Sequence, residues 1–213
     1  MKNIWYTQSD KEDTQMKTLL ITGFDPFGGE KINPAWEAVK LLPDTIGAYN
    51  LHKKEIPTVF GEAAQQVLAA AQEIAPDVIL CIGQAGGRSA VTPEMIAINL
   101  RYGRIADNAG NQPMDVPCVP GAPDAYFATV PVRKMAEAIA AESLPGAVSY
   151  SAGAYVCNDT LYALLHHYHG TATRVGFIHV PFLPEQAGEN VPSLPLESIV
   201  RALTIAVETL DFS

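Results

Sequence analysis

Short apolar runs alternate along the chain with segments in which apolar residues recur every three or four positions. Short runs bounded by Gly or Pro are typical of buried strands, and the longer spacing is typical of helices packed on one side. The pattern predicts strands over residues 18–22, 50–57, 77–82, 147–151 and 174–180. It predicts helices from Asn33 to Leu42, about Val59 to Ala75, Val132 to Glu142, Cys157 to about Tyr168, and Ser193 or Pro195 to Leu210.

Strands and helices therefore alternate to the end of the chain. This order is typical of an α/β fold, and we expect a three-layer α/β/α sandwich with a mostly parallel, mixed central sheet. Residues 16–213 form one predicted domain, because a chain of this length can bury a single large core. Residues 1–15 carry acidic side chains in place of an apolar stretch, so we interpret them as a loose extension and not as a signal peptide.

One segment departs from this rhythm. After the strand-like run MIAINL, the residues from Arg101 to Asp124 are rich in Asn, Pro and Gly and show no periodicity. A long irregular stretch inside a compact domain is most often functional or mobile. We therefore expect this stretch to contribute to function or to move.

Composition and charge argue against two classes of partner. The formal net charge is −9, and the 14 Lys and Arg residues form no basic stripe, which argues against nucleic-acid binding. No apolar run approaches the roughly 20 residues that a membrane-spanning helix needs. Three cysteines, an odd number without metal-ligand spacing, fit a reducing compartment. We expect a cytoplasmic protein whose partners are small molecules or peptides.

Cys157 is the candidate nucleophile among the three cysteines. It follows the turn-like stretch SYSAGAY and precedes NDTLYALL, so its sulfur is predicted to lie in the first turn of a helix. Exposed N–H groups at a helix start lower a thiol pKa and favour the reactive thiolate. A packed small residue is the more frequent alternative from this local pattern alone. Cys81 in DVILCIG is expected to act as a buried hydrophobe, and Cys118 as an ordinary loop thiol.

His179 is the candidate base. It ends the run RVGFIHVP, and strand ends are where α/β folds display catalytic side chains. We expect this strand to neighbour the strand that leads to Cys157, although a buried histidine bonded to backbone remains an equal alternative. Three further histidines stand at the far end of the Cys157 helix, about 13–18 Å away at 1.5 Å per residue: His166, His167 and His169.

An acid that orients the imidazole would complete a nucleophile–base–acid set. Glu94 in TPEMIAIN is the leading candidate, because it adjoins an apolar stretch and a buried carboxylate needs a partner. Asp107 in RIADNAGN is the rival, with a loop-stabilising Asx turn as its alternative role.

Two other function classes compete with catalysis. The GQAGGR loop after a strand suggests phosphate binding, but no GK[ST] follows and the next segment is strand-like. A binding protein that keeps a pocket without chemistry is the second alternative. The presence of thiol, imidazole and carboxylate candidates together favours an enzyme.

Six sequence blocks resemble the pyroglutamyl-peptidase I family, also called pyrrolidone-carboxylate peptidases. They occur in family order and cover essentially the whole chain after the extension. The blocks are TGFDPFGG at 22–29, GQAGGR at 83–88, TPEMIAIN at 92–99, DNAGNQP at 107–113, SAGAYVCN at 151–158 and GFIHVPFLPEQ at 176–186.

The resemblance implies a cysteine peptidase that removes an N-terminal pyroglutamyl residue from peptides through a thioester intermediate. In that case Cys157 is the nucleophile, His179 the general base and Glu94 the orienting acid, while Asp107 has a secondary electrostatic role near the histidine. The resemblance also implies an α/β/α fold, no cofactor or metal, and commonly a homotetramer. The backbone N–H of Cys157 and a group near Arg104 are the candidate oxyanion donors.

The resemblance also assigns a substrate pocket. Phe24 and Phe27 match residues that flank the pyroglutamyl ring, and Gln84 matches one near its lactam. Two positions depart from the expected pattern: Tyr155 stands where Phe is expected, and Ala106 where Pro is expected. The Tyr155 hydroxyl could change the polarity of the ring pocket, and Ala106 could loosen its loop.

Overall fold

A six-stranded sheet lies at the centre of the computed structural model, which describes residues 16–210. The strands in chain order are β1 (Lys17–Phe24), β2 (Thr45–Ile46), β3 (Tyr49–Ile56), β4 (Val78–Gln84), β5 (Thr92–Pro93), β6 (Ile96–Ile98), β7 (Ala125–Phe127) and β8 (Arg174–Val180). The sheet order is β2-β3-β1-β4-β8-β5. Its four long strands are parallel, and the two short edge strands pair antiparallel, so the predicted mostly parallel, mixed sheet is confirmed.

Five helices cover both faces of this sheet. They are α1 (Pro34–Leu41), α2 (Glu62–Ile74), α3 (Val132–Ala141), α4 (Val156–His167) and α5 (Leu196–Glu208). One hydrophobic cluster joins α1, α3 and α5 to the sheet, and a second joins α2 and α4 to its other face. The predicted three-layer α/β/α fold is therefore confirmed. Within residues 16–210, every helix is too short or too polar to cross a membrane.

Burial on both faces explains the predicted strands. All seven residues of β4 and six of the eight in β1 are buried, as continuous apolar strands of a parallel sheet should be. The start of α1 was also predicted correctly, since the Asn33 side chain accepts a hydrogen bond from Ala35 N and Pro34 occupies the first turn. The start of α2 was predicted three residues early, because Gly61 adopts a φ of 74° outside the helical range.

The predicted strand over residues 147–151 is wrong. Within this segment only Ser149 forms an isolated bridge, to Glu94, and the preceding Gly146 forms another to Val91, so its neighbour is the β5 region and not β8. The backbone of Ser149 bonds Pro93 and Met95, and pairing ends there, because the Ser149 hydroxyl bonds the backbone of Ser151 in a local turn. The strand next to β8 on this side is the two-residue β5.

The strand-like run MIAINL is confirmed only over β6, which pairs with β7 in a separate two-stranded sheet. The edge strands β2 and β5 and the β6 partner β7 were not predicted, because two or three residues carry no readable periodicity. The predicted loose extension over residues 1–15 lies outside the described residues.

The helix α4 anchors the long irregular stretch through two buried polar side chains. Asn158 accepts a hydrogen bond from Ile98 N at 3.0 Å and donates to the carbonyls of Ile98 and Leu100 at 2.9 and 3.0 Å. The Asp159 carboxylate accepts from Arg101 Nε at 2.6 Å and from Gly61 N at 2.7 Å. These bonds satisfy backbone and side-chain groups at the start of the stretch, beside the antiparallel bridge of Arg101 with Val116.

Candidate active site

A cavity of about 480 Å³ lies at the carboxyl ends of β1, β4 and β8. Phe24 ends β1, Gln84 ends β4, and His179 is the penultimate residue of β8; all three line the cavity. Cys157, in the first turn of α4, lines it from the helix layer. The carboxyl edge of a parallel sheet is where the topology of α/β folds forms such clefts, so the position agrees with the expectation from sequence.

Gly83 lets the Cys157 sulfur approach the sheet beside His179. Gly83 pairs directly with His179 in the register of β4 and β8. A Cβ atom at Gly83 would lie 3.1 Å from Cys157 Sγ and 2.7 Å from the ring of Phe177. Phe177 and His179 project from the same face of β8, with ring centroids 4.8 Å apart. The thiol and the imidazole therefore share one face of the sheet at neighbouring positions.

Glu94 lies behind His179, on the segment that follows β5. His179 is 3 % exposed and Glu94 is 0 % exposed, and His179 Nδ1 is 2.6 Å from Glu94 Oε1. Burial acts to raise the pKa of Glu94, but the His179 hydrogen bond and the Arg88 charge, with Ser149, hold that pKa below its usual value. Burial lowers the pKa of His179, and Glu94 only partly opposes this. At neutral pH an ionised Glu94 thus accepts a hydrogen bond from the Nδ1–H group of a neutral imidazole, which leaves Nε2 with a free lone pair.

Arg88 connects this pair to the segment that leads to Cys157. Its Nη1 donates to Glu94 Oε1 at 2.7 Å, and its Nη2 donates to the carbonyl of Ser151 at 3.0 Å. A fully buried carboxylate costs several kcal/mol without a counter-charge, by the order of magnitude of ion desolvation. Arg88 supplies that charge while its own side chain reaches the cavity.

The thiol itself has a pKa opposite in direction to the expectation. Burial raises the pKa of Cys157 to about 12, and the negative charge of Glu94 adds to this. The helix start and the Arg88 charge act the other way but do not outweigh the loss of water. The predicted lowering of the thiol pKa is therefore wrong for the unliganded site, where Cys157 carries its proton.

Replacing Gly83 by alanine is expected to destabilise the fold and to lower activity. The new methyl group would overlap the Phe177 ring and press on the Cys157 sulfur, and overpacking of this kind costs about 1–3 kcal/mol. Thermal unfolding and initial rates check this. Gly188→Ala is the matched control, since its nearest neighbour is 3.9 Å from the added carbon. Wild-type stability and rate in Gly83→Ala would contradict the packing described here.

Comparison with known proteins decides the family. A sequence model described as pyroglutamyl peptidase matches residues 16–211. The chain belongs to the pyroglutamyl peptidase family. This confirms the resemblance drawn from the six sequence blocks, and with it the prediction of a peptidase of this type. Pyrrolidone-carboxylate peptidases of Bacillus thuringiensis (strain Al Hakam) and Bacillus cereus (strain AH820) are each 49% identical over 198 residues, covering 91% of this chain and 92% of theirs.

Solved structures of the pyroglutamyl peptidase family share the fold. Pyroglutamyl peptidase I of Bacillus amyloliquefaciens superposes with a TM-score of 0.88 at 45% identity, covering 91% of this chain and 96% of that one. A mutant pyrrolidone carboxyl peptidase of the hyperthermophile Pyrococcus furiosus superposes with a TM-score of 0.86 at 40% identity, covering 91% of this chain and 97% of that one.

Aromatic side chains form one side of the cavity in this family member. Phe27 and Phe60 contact the Tyr155 ring, with centroids 6.1 and 5.1 Å away. The Tyr155 hydroxyl donates to the carbonyl of Ala106 at 3.1 Å. The two positions that depart from the family pattern therefore contact each other, and the hydroxyl is bonded to the loop. The predicted pocket residues Phe24, Phe27, Gln84 and Tyr155 all line the same cavity.

Asp107 stabilises its own loop, which was the alternative to a role as the acid. One carboxylate oxygen accepts from the backbone N–H groups of Ala109 and Asn111, and the other accepts from Phe60 N and the Asn111 amide. Glu94, not Asp107, is the carboxylate bonded to His179. Arg104, on the same loop, does line the cavity.

The remaining thiols behave as expected from sequence. Cys81 is fully buried in β4, and burial raises its pKa to about 12. Cys118 is buried with its sulfur 3.7 Å from the carbonyl of Ile98. All three cysteines are free. The segment after GQAGGR forms β5 and not a helix, so this loop offers no helix start for a phosphate.

Two residues of the site had no role in the sequence prediction. Arg88 and Gln186 both lie inside family blocks, yet their contacts emerge only from the fold. A signal for Arg88 exists in retrospect, because a carboxylate predicted to be buried, Glu94, demands a nearby cation. Gln186 donates to Gln84 across 102 positions of sequence, and no local pattern could reveal that contact.

Proposed function

We propose that the protein hydrolyses the amide bond after an N-terminal L-pyroglutamyl residue of peptides, with Cys157 as the nucleophile. The observation that carries this proposal is the buried Glu94–His179 hydrogen bond behind a cavity that Cys157 also lines. Nucleophile, base and orienting acid are the elements of covalent acyl transfer. Family membership supports the choice of substrate.

Acylation begins from a neutral thiol and a neutral imidazole. His179 Nε2 takes the Cys157 proton as the sulfur attacks the pyroglutamyl carbonyl carbon, and Glu94 stabilises the imidazolium that forms. His179 then gives the proton to the departing amine as the C–N bond breaks, which leaves a thioester on Cys157. The high pKa of the buried thiol is compatible with this route, because the proton moves to His179 during attack and no free thiolate is needed beforehand.

Deacylation reverses these roles. A water molecule attacks the thioester carbonyl while His179 Nε2 accepts its proton. The C–S bond breaks, the sulfur takes the proton back from His179, and pyroglutamate leaves as the free acid. The Cys157 N–H is a candidate donor to both oxyanions, since the first turn of a helix lacks intrahelical acceptors and no side chain caps α4. Arg104 is the second candidate, from the opposite loop.

The cavity suits a neutral lactam better than an ordinary amino terminus. Among the described residues that line it there is no carboxylate, while Arg88 and Arg104 are both present. Arg88 is already paired with Glu94, so a charged α-ammonium would find no carboxylate among these lining residues and would meet the positive charge of Arg104, whereas pyroglutamate carries no charge on its ring nitrogen. The Phe24, Phe27 and Tyr155 rings provide the apolar surface that a five-membered ring needs.

The deciding experiment measures release of a fluorescent amine from its L-pyroglutamyl amide and from its L-prolyl amide. We expect release from the pyroglutamyl compound alone, because the prolyl compound brings a cationic ring nitrogen and no lactam carbonyl. A thiol alkylating agent should abolish the reaction, and a pyroglutamyl ligand should slow that inactivation. No release by the wild-type protein would refute the proposed activity.

The pH profile of kcat/KM should show an acid limb below pH 6.5. Burial depresses the pKa of His179 below that usual value, so the imidazole stays neutral and able to accept the thiol proton until the pH falls further. Protonation of His179 then removes the base and the rate falls with pH. The substrate has no group that titrates there. An acid limb centred above pH 6.5 would contradict the assigned environment of His179.

We also propose that residues 16–213 act as one peptidase domain in a cytoplasmic homotetramer. The resemblance supports the tetramer, and three free cysteines fit a reducing compartment. Light scattering on the purified protein measures the assembly directly, and a monomer at working concentration would refute the tetramer.

A further inference from the structure

The amide group of Gln84 can present either an oxygen or a nitrogen to the cavity. Gln84 lines the cavity at the end of β4, and its Oε1 accepts a hydrogen bond from Gln186 Nε2 at 3.1 Å. Gln186 is half-buried and does not line the cavity itself. The side-chain orientation of an amide must be argued from its partners, because oxygen and nitrogen have nearly the same shape.

The partners of Gln186 fix its orientation, since each can act in only one way. The backbone N–H of Leu183 can only donate, and it lies 3.1 Å from Gln186 Oε1. The carbonyl of Ile32 can only accept, and it lies 3.3 Å from Gln186 Nε2. The Glu30 carboxylate, 3.2 Å from the same nitrogen, also accepts. Gln186 Nε2 therefore donates to Gln84, and the Gln84 side chain accepts through its oxygen.

The orientation of Gln84 follows from this chain of bonds. With Oε1 turned to Gln186, the other end of the amide is Nε2, which has no hydrogen-bond partner among residues 16–210. We infer that Gln186 is a positioning residue: it orients Gln84 so that the cavity offers an N–H donor, which selects a neutral ring bearing a carbonyl oxygen. This inference rests on the proposed function for its substrate, because the lactam carbonyl of pyroglutamate is such an acceptor.

The selection works through an unpaired donor. A ring without a carbonyl leaves the Gln84 N–H groups desolvated and without an acceptor, and this penalty amounts to about 10- to 100-fold in affinity. A ring with the carbonyl satisfies the donor. The specificity of the pocket is then set partly by the Leu183 backbone and by Ile32, which hold Gln186.

The test uses two neutral five-membered rings of opposite polarity, cyclopentanone and pyrrole. Cyclopentanone offers only an acceptor and pyrrole only an N–H donor. Their dissociation constants are measured by ligand-observed NMR, which does not depend on turnover. We expect the wild type to prefer cyclopentanone. In Gln186→Glu, made in a Glu30→Gln background so that the new carboxylate does not lie against the Glu30 carboxylate, residue 186 accepts a hydrogen bond from the Gln84 amide at mildly alkaline pH. The Gln84 oxygen then faces the cavity, so the affinity for cyclopentanone should fall about 10-fold while the affinity for pyrrole does not fall.

Two further variants separate positioning from structure. Gln186→Met removes the amide donor and the amide acceptor at this position, so Gln84 is free to rotate and the preference for cyclopentanone should shrink without inverting. If Gln186→Glu does not fold, Gln186→Met alone tests the inference. Gln66→Glu, on the exposed side of α2, is the control for the added charge and should bind as the wild type.

An equal loss of affinity for both rings, or an unchanged preference for cyclopentanone in Gln186→Glu and Gln186→Met, would overturn the inference. A failure of the proposed function is distinguishable from this. It would appear as absence of pyroglutamyl amide hydrolysis by the wild type, whatever the two rings show in the binding experiment.

Discussion

Cys157→Ser is expected to lower kcat by roughly 10³-fold or more, the order seen when a nucleophile of a catalytic triad is lost. A serine hydroxyl is far less acidic and less nucleophilic than the thiol, and His179 is positioned for a sulfur at this point. The fold should be retained, because the cysteine and serine side chains differ little in size. Initial rates on the L-pyroglutamyl amide and thermal unfolding measure the two effects separately.

The other cysteines provide matched controls for this substitution. Cys118→Ser should keep kcat, since its sulfur lies against the carbonyl of Ile98 and outside the cavity. Cys81→Ser should cost stability, because it places a hydroxyl in the fully buried β4, but its kcat should stay close to that of the wild type. Full activity in Cys157→Ser, with loss of activity in a folded Cys81→Ser, would refute the assignment of the nucleophile.

Glu94→Gln is expected to lower kcat by about 10²- to 10⁴-fold with little change in KM, by analogy with the loss of the orienting acid in other triads. The neutral amide no longer stabilises the imidazolium, and its NH₂ group can face Nδ1 and favour the wrong tautomer of His179. Arg88 also loses its buried counter-charge, so the melting temperature should fall. Steady-state kinetics and thermal unfolding, run on the same preparation, separate these losses.

Asp107→Asn is the control for the choice of acid. An asparagine there loses acceptors for the loop N–H groups, so the loop that carries Arg104 should loosen and KM should rise more than kcat falls. An unchanged kcat in Glu94→Gln combined with an inactive, folded Asp107→Asn would transfer the orienting role to Asp107.

The elements predicted well from sequence are those that are buried on both faces or capped by their own residues. β4 and β8 are continuous apolar runs, and Asn33 and Pro34 mark the start of α1 in the sequence itself. The segment 147–151 has the composition of a strand, but the Ser149 hydroxyl bonds the backbone of Ser151 and the segment lies at the edge of the sheet. Whether an edge segment pairs as a strand depends on the segment next to it in the fold, and the local pattern of apolar and polar residues does not contain that information.

The residue types of the site and the pairing of Glu94 with His179 were predictable from the family blocks, and the other contacts of the site were not. Cys157 and His179 line one cavity and Glu94 bonds His179, as the family blocks implied. The direction of the thiol pKa was not predictable, because it depends on how much water the fold removes from the sulfur. The contacts of Arg88 and Gln186 likewise depend on side-chain geometry between distant segments.

The anchoring of the irregular stretch by α4 has a consequence for motion. Asn158 and Asp159 follow Cys157 directly, and their side chains hold Ile98, Leu100 and Arg101. Opening of that stretch would leave two buried polar side chains beside Cys157 without partners, so the stretch and the first turn of α4 should exchange their amide protons as one cooperative unit. The loop and the turn that carries Cys157 would then unfold in the same local event. A substrate that contacts the loop should slow amide exchange in both.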